Sequence, residues 1–266
     1  MAVYSKDRRM LEYGLTKSYP DIFCFSTTRH GGYSEGAYAS FNCNGYCGDK
    51  PEPVTANREL LCSLLPGTEK ELILPHQIHC TEVRIIDESF LAQSQEAKMA
   101  LLEGVDALVT GLSGKCICIS TADCVPVLCY DRKHRAVAAI HAGWRGTVAG
   151  IVRKTLETMQ QTYGTEGRDV VACIGPSISP EAFEVGDEVY DSFAGNGFDM
   201  DRIAFRCDKW HIDLWEANRL QLLEWGVSPA DIEVCGICTW KENSDFFSAR
   251  RQGINSGRIL SGVMLL

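Results

Sequence analysis

Thr121-Ala122-Asp123-Cys124-Val125-Pro126-Val127-Leu128-Cys129-Tyr130-Asp131-Arg132-Lys133-His134-Arg135-Ala136-Val137-Ala138-Ala139-Ile140-His141 holds two apolar runs of strand length, 126–131 and 136–141. The polar Arg132-Lys133 between them leaves room only for a hairpin loop. A turn on those two residues sets Asp131 opposite His134 and, counting outward, Cys124 opposite His141. Pairs 126/139 and 124/141 then fall in the non-hydrogen-bonded class. Pro126 would therefore sit where no ladder N–H is required. Cys124 and His141 would share one face, their side chains about 5 Å apart.

Outward from this hairpin, short β-like runs alternate with helical patterns and no low-complexity linker intervenes. Strands are expected at 22–28, 81–86, 115–120, 170–175 and 232–239. Helices are expected at 53–65, 88–102, 147–163, 187–194 and 213–225, the last closed by Gly226. In 147–163, Ile151, Val152, Leu156 and Met159 form one apolar side. The pattern predicts a single mixed α/β domain over 1–266, with mixed β-sheets flanked by helices.

Composition narrows the function. Hydrophobic residues at 45% and charged residues at 23% are ordinary for a globular protein of 266 residues. Such a chain buries about three quarters of its extended surface and needs no disulfide or structural metal to fold. A net charge of −9 argues against a nucleic-acid or acidic-membrane surface, while leaving room for a local pocket for one phosphate. No apolar run approaches the roughly 20 residues of a membrane span. The N-terminus lacks the apolar core of a secretion signal, and 13 Cys is an odd number, so reduced thiols in a cytoplasm are expected.

A Cys facing a His supports two chemistries: a thiolate–imidazolium nucleophile, or two ligands of a metal that needs a third. Pro75-His76-Gln77-Ile78-His79 is the obvious source of that third ligand. On an extended segment its two His point to opposite faces, so one of them is expected and not both. Gly143-Trp144-Arg145-Gly146 joins a strand end to a helix start, where Arg145 and free N–H groups suit a phosphate. Gly175-Pro176, followed by Glu184-Val185-Gly186, is a second turn of that kind. Cys116-x-Cys118 and the lone Cys235-x-x-Cys238 read as small buried hydrophobes.

The segments 26–32 (Ser-Thr-Thr-Arg-His-Gly-Gly), Gln77-Ile78-His79, Asp106-Ala107-Leu108-Val109-Thr110, Thr121 to Leu128, His141 to Gly146, Gly175-Pro176 and Phe183-Glu184-Val185-Gly186 together resemble the laccase-domain family. Its members have been called multicopper polyphenol oxidases, purine nucleoside phosphorylases with adenosine deaminase activity, and peptidoglycan editing factors. The resemblance runs in order from Phe25 to Arg251. It implies the family's cysteine-hydrolase-like α/β fold with one metal site, usually zinc, whose ligands here are His79, Cys124 and His141. It also brings Arg29, Arg58 and Arg250 towards the site. Three departures stand out: Cys80 where Gly is common, Asn42-Cys43-Asn44-Gly45 for an Asn-Leu-Gly pattern, and Ala249 where Tyr is frequent.

The implied function is a zinc-dependent purine nucleoside enzyme, taking nucleoside and phosphate as small-molecule substrates. It would carry out phosphorolysis of adenosine, inosine or methylthioadenosine and deamination of adenosine. Three protein ligands leave an open fourth position, where bound water is acidified towards neutrality. Cys124 and His141 are the catalytic centre, Asp123 or Glu184 the candidate proton carrier, and Arg145, Arg29, Gly175 and Arg250 the candidate substrate and phosphate contacts. Two alternatives remain. A metal-free Cys124–His141 amide hydrolase, acting on a peptidoglycan precursor, gives His79 no task. A copper polyphenol oxidase wants many imidazoles, and the chain has only six His.

Overall fold

Strands Val125–Asp131 and Ala136–Ala142 pair as an antiparallel hairpin at the centre of a six-stranded sheet. Its strand order is Ile232–Val234, Val170–Ile174, Val125–Asp131, Ala136–Ala142, Ala107–Thr110, Val83–Ile85. The computed structural model describes residues 2–68 and 70–266. A second six-stranded sheet runs Val3–Tyr4, Met10–Glu12, Ile22–Thr27, Ile259–Leu265, Lys115–Thr121, Glu71–Ile73. Both are mixed: the first has parallel pairs at both edges and the second only where Glu71–Ile73 joins Lys115–Thr121, the other pairs being antiparallel. A small antiparallel sheet joins Glu184–Val185, Trp210–Ile212 and Ala204–Arg206.

Alternation along the hairpin explains how the layers stack. Leu128, Tyr130, Val137 and Ala139 pack with Ile117, Ile119, Val263 and Leu265 of the other large sheet. Val127, Cys129, Ala138 and Ile140, on the opposite face, pack with Ile151, Val152, Leu156 and Met159 of helix Ile151–Tyr163 and with Ala217 of helix Leu214–Glu224. The far face of the second sheet is covered through Phe25, Cys116 and Leu260, with Leu61 of helix Pro51–Leu64. Helices thus flank a pair of packed sheets, as the alternating pattern predicts. The central strands, buried on both faces, are correspondingly apolar apart from Asp131 and His141 near their ends.

The hairpin register differs from the expected one. Asp131 pairs with Ala136 and Pro126 with His141, so the loop has four residues, 132–135, and not two. The cause lies in the turn. Asp131 Oδ1 accepts from the N–H groups of Lys133 (2.9 Å) and His134 (3.0 Å), and Oδ2 lies 2.8 Å from His134 Nδ1. Arg135 closes the loop at φ +53°. The slip is two residues, so every side chain keeps its face. His141 donates its N–H to the Asp106 carbonyl and not across the hairpin, so the Pro126–His141 pair makes no demand on proline.

Three other boundaries move. Residues 88–102 form two helices, Glu88–Leu91 and Gln95–Leu101, because Asp87 and Ser94 each cap a new start. Residues 147–163 likewise divide into Trp144–Val148 and Ile151–Tyr163, with Gly150 at φ +74° between them. The strand expected over 232–239 ends at Val234, shortly before Gly236 turns at φ +67°.

Asp131 is fully buried. Burial opposes its charge, yet hydrogen bonding, from the Thr165 hydroxyl first and then from the turn, outweighs it and holds its pKa below the usual carboxylate value. A folded-state pKa below the unfolded one contributes stability above about pH 4 that is lost as pH falls through the folded value. Asp131→Asn is expected to destabilise the fold by about 1–3 kcal/mol at neutral pH. Urea midpoints should show that difference shrinking in acid.

Candidate metal centre

The two large sheets are joined where strand Lys115–Thr121 of one passes into strand Val125–Asp131 of the other. The crossing is Ala122-Asp123-Cys124, and Asp123 makes the corner at φ +84°. Its Oδ1 accepts from Thr239 Oγ1 (2.7 Å), its Oδ2 from the Arg250 N–H (2.6 Å), and its carbonyl from the Ile178 N–H (2.9 Å). Three surrounding segments are thereby tied to the corner that presents Cys124. His141 closes strand Ala136–Ala142 on the face between the sheets.

The third residue is His79, on a loop with φ +66°. A left-handed conformation at a non-glycine residue is unfavourable unless something holds it. Here the fully buried Asp106 holds it. Its carboxylate accepts from the N–H groups of Ile78 (3.2 Å), His79 (3.0 Å) and Cys80 (3.0 Å), from Cys80 Sγ (3.0 Å), and lies 2.6 Å from His141 Nδ1. One acid therefore sets both the loop of His79 and the ring of His141. With Nδ1 on the carboxylate, His141 Nε2 is left to face Cys124.

His79, Cys124 and His141 bring one ligand atom each to within 4.8 Å of one another, with His79 Nε2 3.7 Å from Cys124 Sγ. A tetrahedral metal with ordinary Zn–N and Zn–S bonds holds such atoms about 3.5 Å apart, so the donor set fits a zinc-type ion. Among the described residues this is the one group of three or more such donors placed to hold a metal. Gly143 closes the back of the site: a Cβ there would stand 2.9 Å from His79 Cδ2 and 3.2 Å from Cys124 Sγ.

The electrostatics agree with a ligating thiolate. Burial opposes ionisation of Cys124, but the nearby His141 and His79 outweigh it and bring its pKa down to about 6. His141 answers in the other direction: burial disfavours its charge, yet Cys124 and Asp106 raise it to about 9. Asp106, despite its burial, is held down to about 2, chiefly by the hydrogen bond and charge of His141.

The triad opens into a cavity of about 440 Å³. Asp123, Arg250 and Phe183 line it, with Gln77, Ser120, Thr121, Asn44, Tyr46, His76 and Arg258. The Thr121 hydroxyl is buried and has no partner among the described residues. The other expected contacts fall elsewhere. Arg145 is exposed and lies over the Trp144 ring, at 4.3 Å from its centroid. Arg29 donates to the Ala39 and Asn243 carbonyls and packs on Phe247. Arg58 donates to the Cys43 carbonyl. Gly175 is packed too closely against Tyr13 and Pro126 to admit a side chain. Glu184 pairs with Lys209 at 2.7 Å on the surface.

Sequence reasoning did not single out Asp106 as a site residue, although a lone acid directly before the apolar run Ala107-Leu108-Val109 is a signal of a buried, paired carboxylate. Cys80, one of the departures from the family pattern, adds a thiol donor to that acid.

Fold and site together define a mixed α/β protein with one His₂Cys centre at the end of a sheet pair. The profile of the multi-copper polyphenol oxidoreductase laccase family matches residues 23–266, and the chain belongs to that family. It is 56% identical to a purine nucleoside phosphorylase of Bacteroides thetaiotaomicron, over 100% of this chain and 99% of the relative. It is 42% identical to adenosine deaminase RL5, from an unknown prokaryotic organism, over 93% and 95%. The crystal structure of YlmD from Geobacillus stearothermophilus superposes with a TM-score of 0.89 at 30% identity, covering 100% of this chain and 99% of that one. That of a YfiH protein from Bacillus licheniformis gives 0.88 at 28%, covering 97% of each.

Asp106→Asn replaces acceptor oxygens with an amide that must face donors. Zinc affinity, measured by chelator competition, is expected to fall about 10- to 100-fold while the circular dichroism spectrum stays native.

Proposed function

We propose that the protein is a zinc-dependent purine nucleoside enzyme. Its reactions are phosphorolysis of adenosine, inosine and methylthioadenosine and deamination of adenosine, with His79, Cys124 and His141 holding the metal. The observation that carries this reading is the three-donor centre open to a polar cavity, with Asp106 fixing the orientation of two of its members. Relatives named for both reactions support it. Zinc held by three protein ligands supplies a Lewis acid and an acidified water at its open position.

The chain's own groups supply the rest. Asp106 keeps the proton of His141 on Nδ1, so that Nε2 stays a donor to the metal. Asp123 is the only carboxylate among the residues lining the cavity, and each of its oxygens keeps a second lone pair beyond the bond from Thr239 or Arg250. We assign it the proton transfer, in preference to Glu184 on the surface. The Arg250 guanidinium borders the cavity and, among the described residues, donates only to the Glu184 carbonyl, leaving its charge for phosphate. The whole described chain is read as one domain. The 13 Cys are unpaired, and no helix of the described residues is long and apolar enough to cross a membrane.

One observation favours a second reading. A thiol at about 6 beside an imidazole at about 9 is also the resting state of a cysteine nucleophile acting on an amide. The two readings separate at His79. Purified protein is expected to carry about one zinc per chain, and both His79→Ala and Cys124→Ala to lose zinc and nucleoside turnover together. A metal-free protein that works without His79 and is inactivated by alkylation of Cys124 would establish the thiol hydrolase instead.

A further inference from the structure

His76, the histidine left without a task by the ligand set, lies under Tyr46. The two rings are stacked with centroids 4.2 Å apart and planes 17° from parallel. Both line the mouth of the cavity that contains the metal centre. Tyr46 has one face on His76 and is 49% exposed, so its other side is open at the cavity. Large exposed aromatics at the rim of a polar cavity are the usual means of holding a flat ligand.

The stack is held from both sides. His76 Nδ1 lies 2.8 Å from Glu103 Oε1, while its backbone N–H donates to the Leu102 carbonyl and its carbonyl accepts from Gly104. Tyr46 donates its N–H to Asn44 Oδ1 at 2.6 Å, and Asn44 Nδ2 donates to Ser120 Oγ at 2.6 Å. Ser120 in turn gives its N–H (2.7 Å) and Oγ (3.0 Å) to Gln77 Oε1, two residues before His79. The aromatic pair and the metal-ligand loop therefore form one hydrogen-bonded unit.

His79 follows His76 by three positions, so their Cα atoms are at most about 11 Å apart. A ligand seated at the metal centre and lying along this wall meets the Tyr46 face. Resting on the nucleoside reading above, we propose that Tyr46, backed by His76, is the platform on which the purine base stacks while the ribose carbon to be attacked lies at the His79–Cys124–His141 centre. Stacking on a π-face tolerates any flat base, so the platform holds a nucleobase and leaves adenine and hypoxanthine undistinguished.

The test is calorimetric titration of the zinc-loaded protein with adenosine and with inosine, for wild type, Tyr46→Phe, Tyr46→Leu and Tyr46→Ala. Loss of the ring is expected to weaken binding of both nucleosides roughly 10-fold, with Leu behaving as Ala and Phe close to wild type. Zinc content should be the same in all four. In phosphorolysis the loss should appear in KM with kcat largely retained. Nucleoside affinities unchanged in Tyr46→Ala and Tyr46→Leu, beside a wild type that turns nucleosides over, would overturn the platform alone. A Phe variant as weak as Ala would do the same by shifting the contact to the hydroxyl. A wild type that neither binds nor turns over purine nucleosides would overturn the platform and the proposed function together.

Discussion

The carboxylate of Asp106 is the interaction on which the site depends. A buried acid is tolerated only when its charge is met, and this one is met by three successive backbone N–H groups, one thiol and one imidazole. Each partner belongs to a different structural problem. The amides stabilise a left-handed His79 that a loop would otherwise avoid. The imidazole acquires a fixed tautomer, and through it Cys124 acquires a neighbour that favours the thiolate. His141 links the three groups: Cys124 and Asp106 both raise it, to about 9, while it in turn lowers Cys124 to about 6 and Asp106 to about 2.

That arrangement lies where the sheets meet. Strands buried on both faces have no surface on which to build a polar centre, so the site falls at their ends, where the chain crosses between the sheets through Ala122-Asp123-Cys124. The crossing needs a corner, and Asp123 both makes it and binds the segments around it. Arg250 enters the cavity by this route: its N–H is fixed on Asp123 and its side chain extends over Phe183 towards the Glu184 carbonyl. The rigid sheet pair thus supplies His141, the corner supplies Cys124 and Arg250, and a carboxylate-bound loop supplies His79.

Much of this is legible in the sequence because continuous apolar runs and helical periodicity report burial directly. The strands of the central hairpin, the apolar side of helix Ile151–Tyr163 and the nearness of Cys124 to His141 all follow from local pattern. The hairpin register was not legible. It depends on Asp131 capping its own turn and on Arg135 adopting φ +53°, and neither shows in hydrophobicity. The nearness survived that error because a slip of two residues preserves side-chain facing. The choice between His76 and His79 could not be made from an extended segment either; it was carried by the family resemblance, and the conformation behind it is set by Asp106, 27 residues away. Arg145 reads as a site residue because Arg beside glycine suits an anion, and Arg29 because the family resemblance brings it there, but nothing local reveals which side of a turn faces a cavity.

The remaining imidazoles explain why a family described by multiple coppers presents one centre here. His30 is 2.7 Å from Asp245, and His134 is 2.8 Å from Asp131 inside the hairpin turn. His76 is taken by Glu103 and Tyr46. His211 Nδ1 lies 2.9 Å from the Pro180 carbonyl, and its ring stacks on Phe205. A copper cluster draws on many histidines converging on one volume. In this chain four of the six are committed to separate carboxylates, carbonyls and rings, and only His79 and His141 converge. With Cys124 they form a donor set that could hold one ion, beside a cavity large enough for a small organic substrate. The donor chemistry of the residues, more than the family's descriptive name, therefore governs what this site can do.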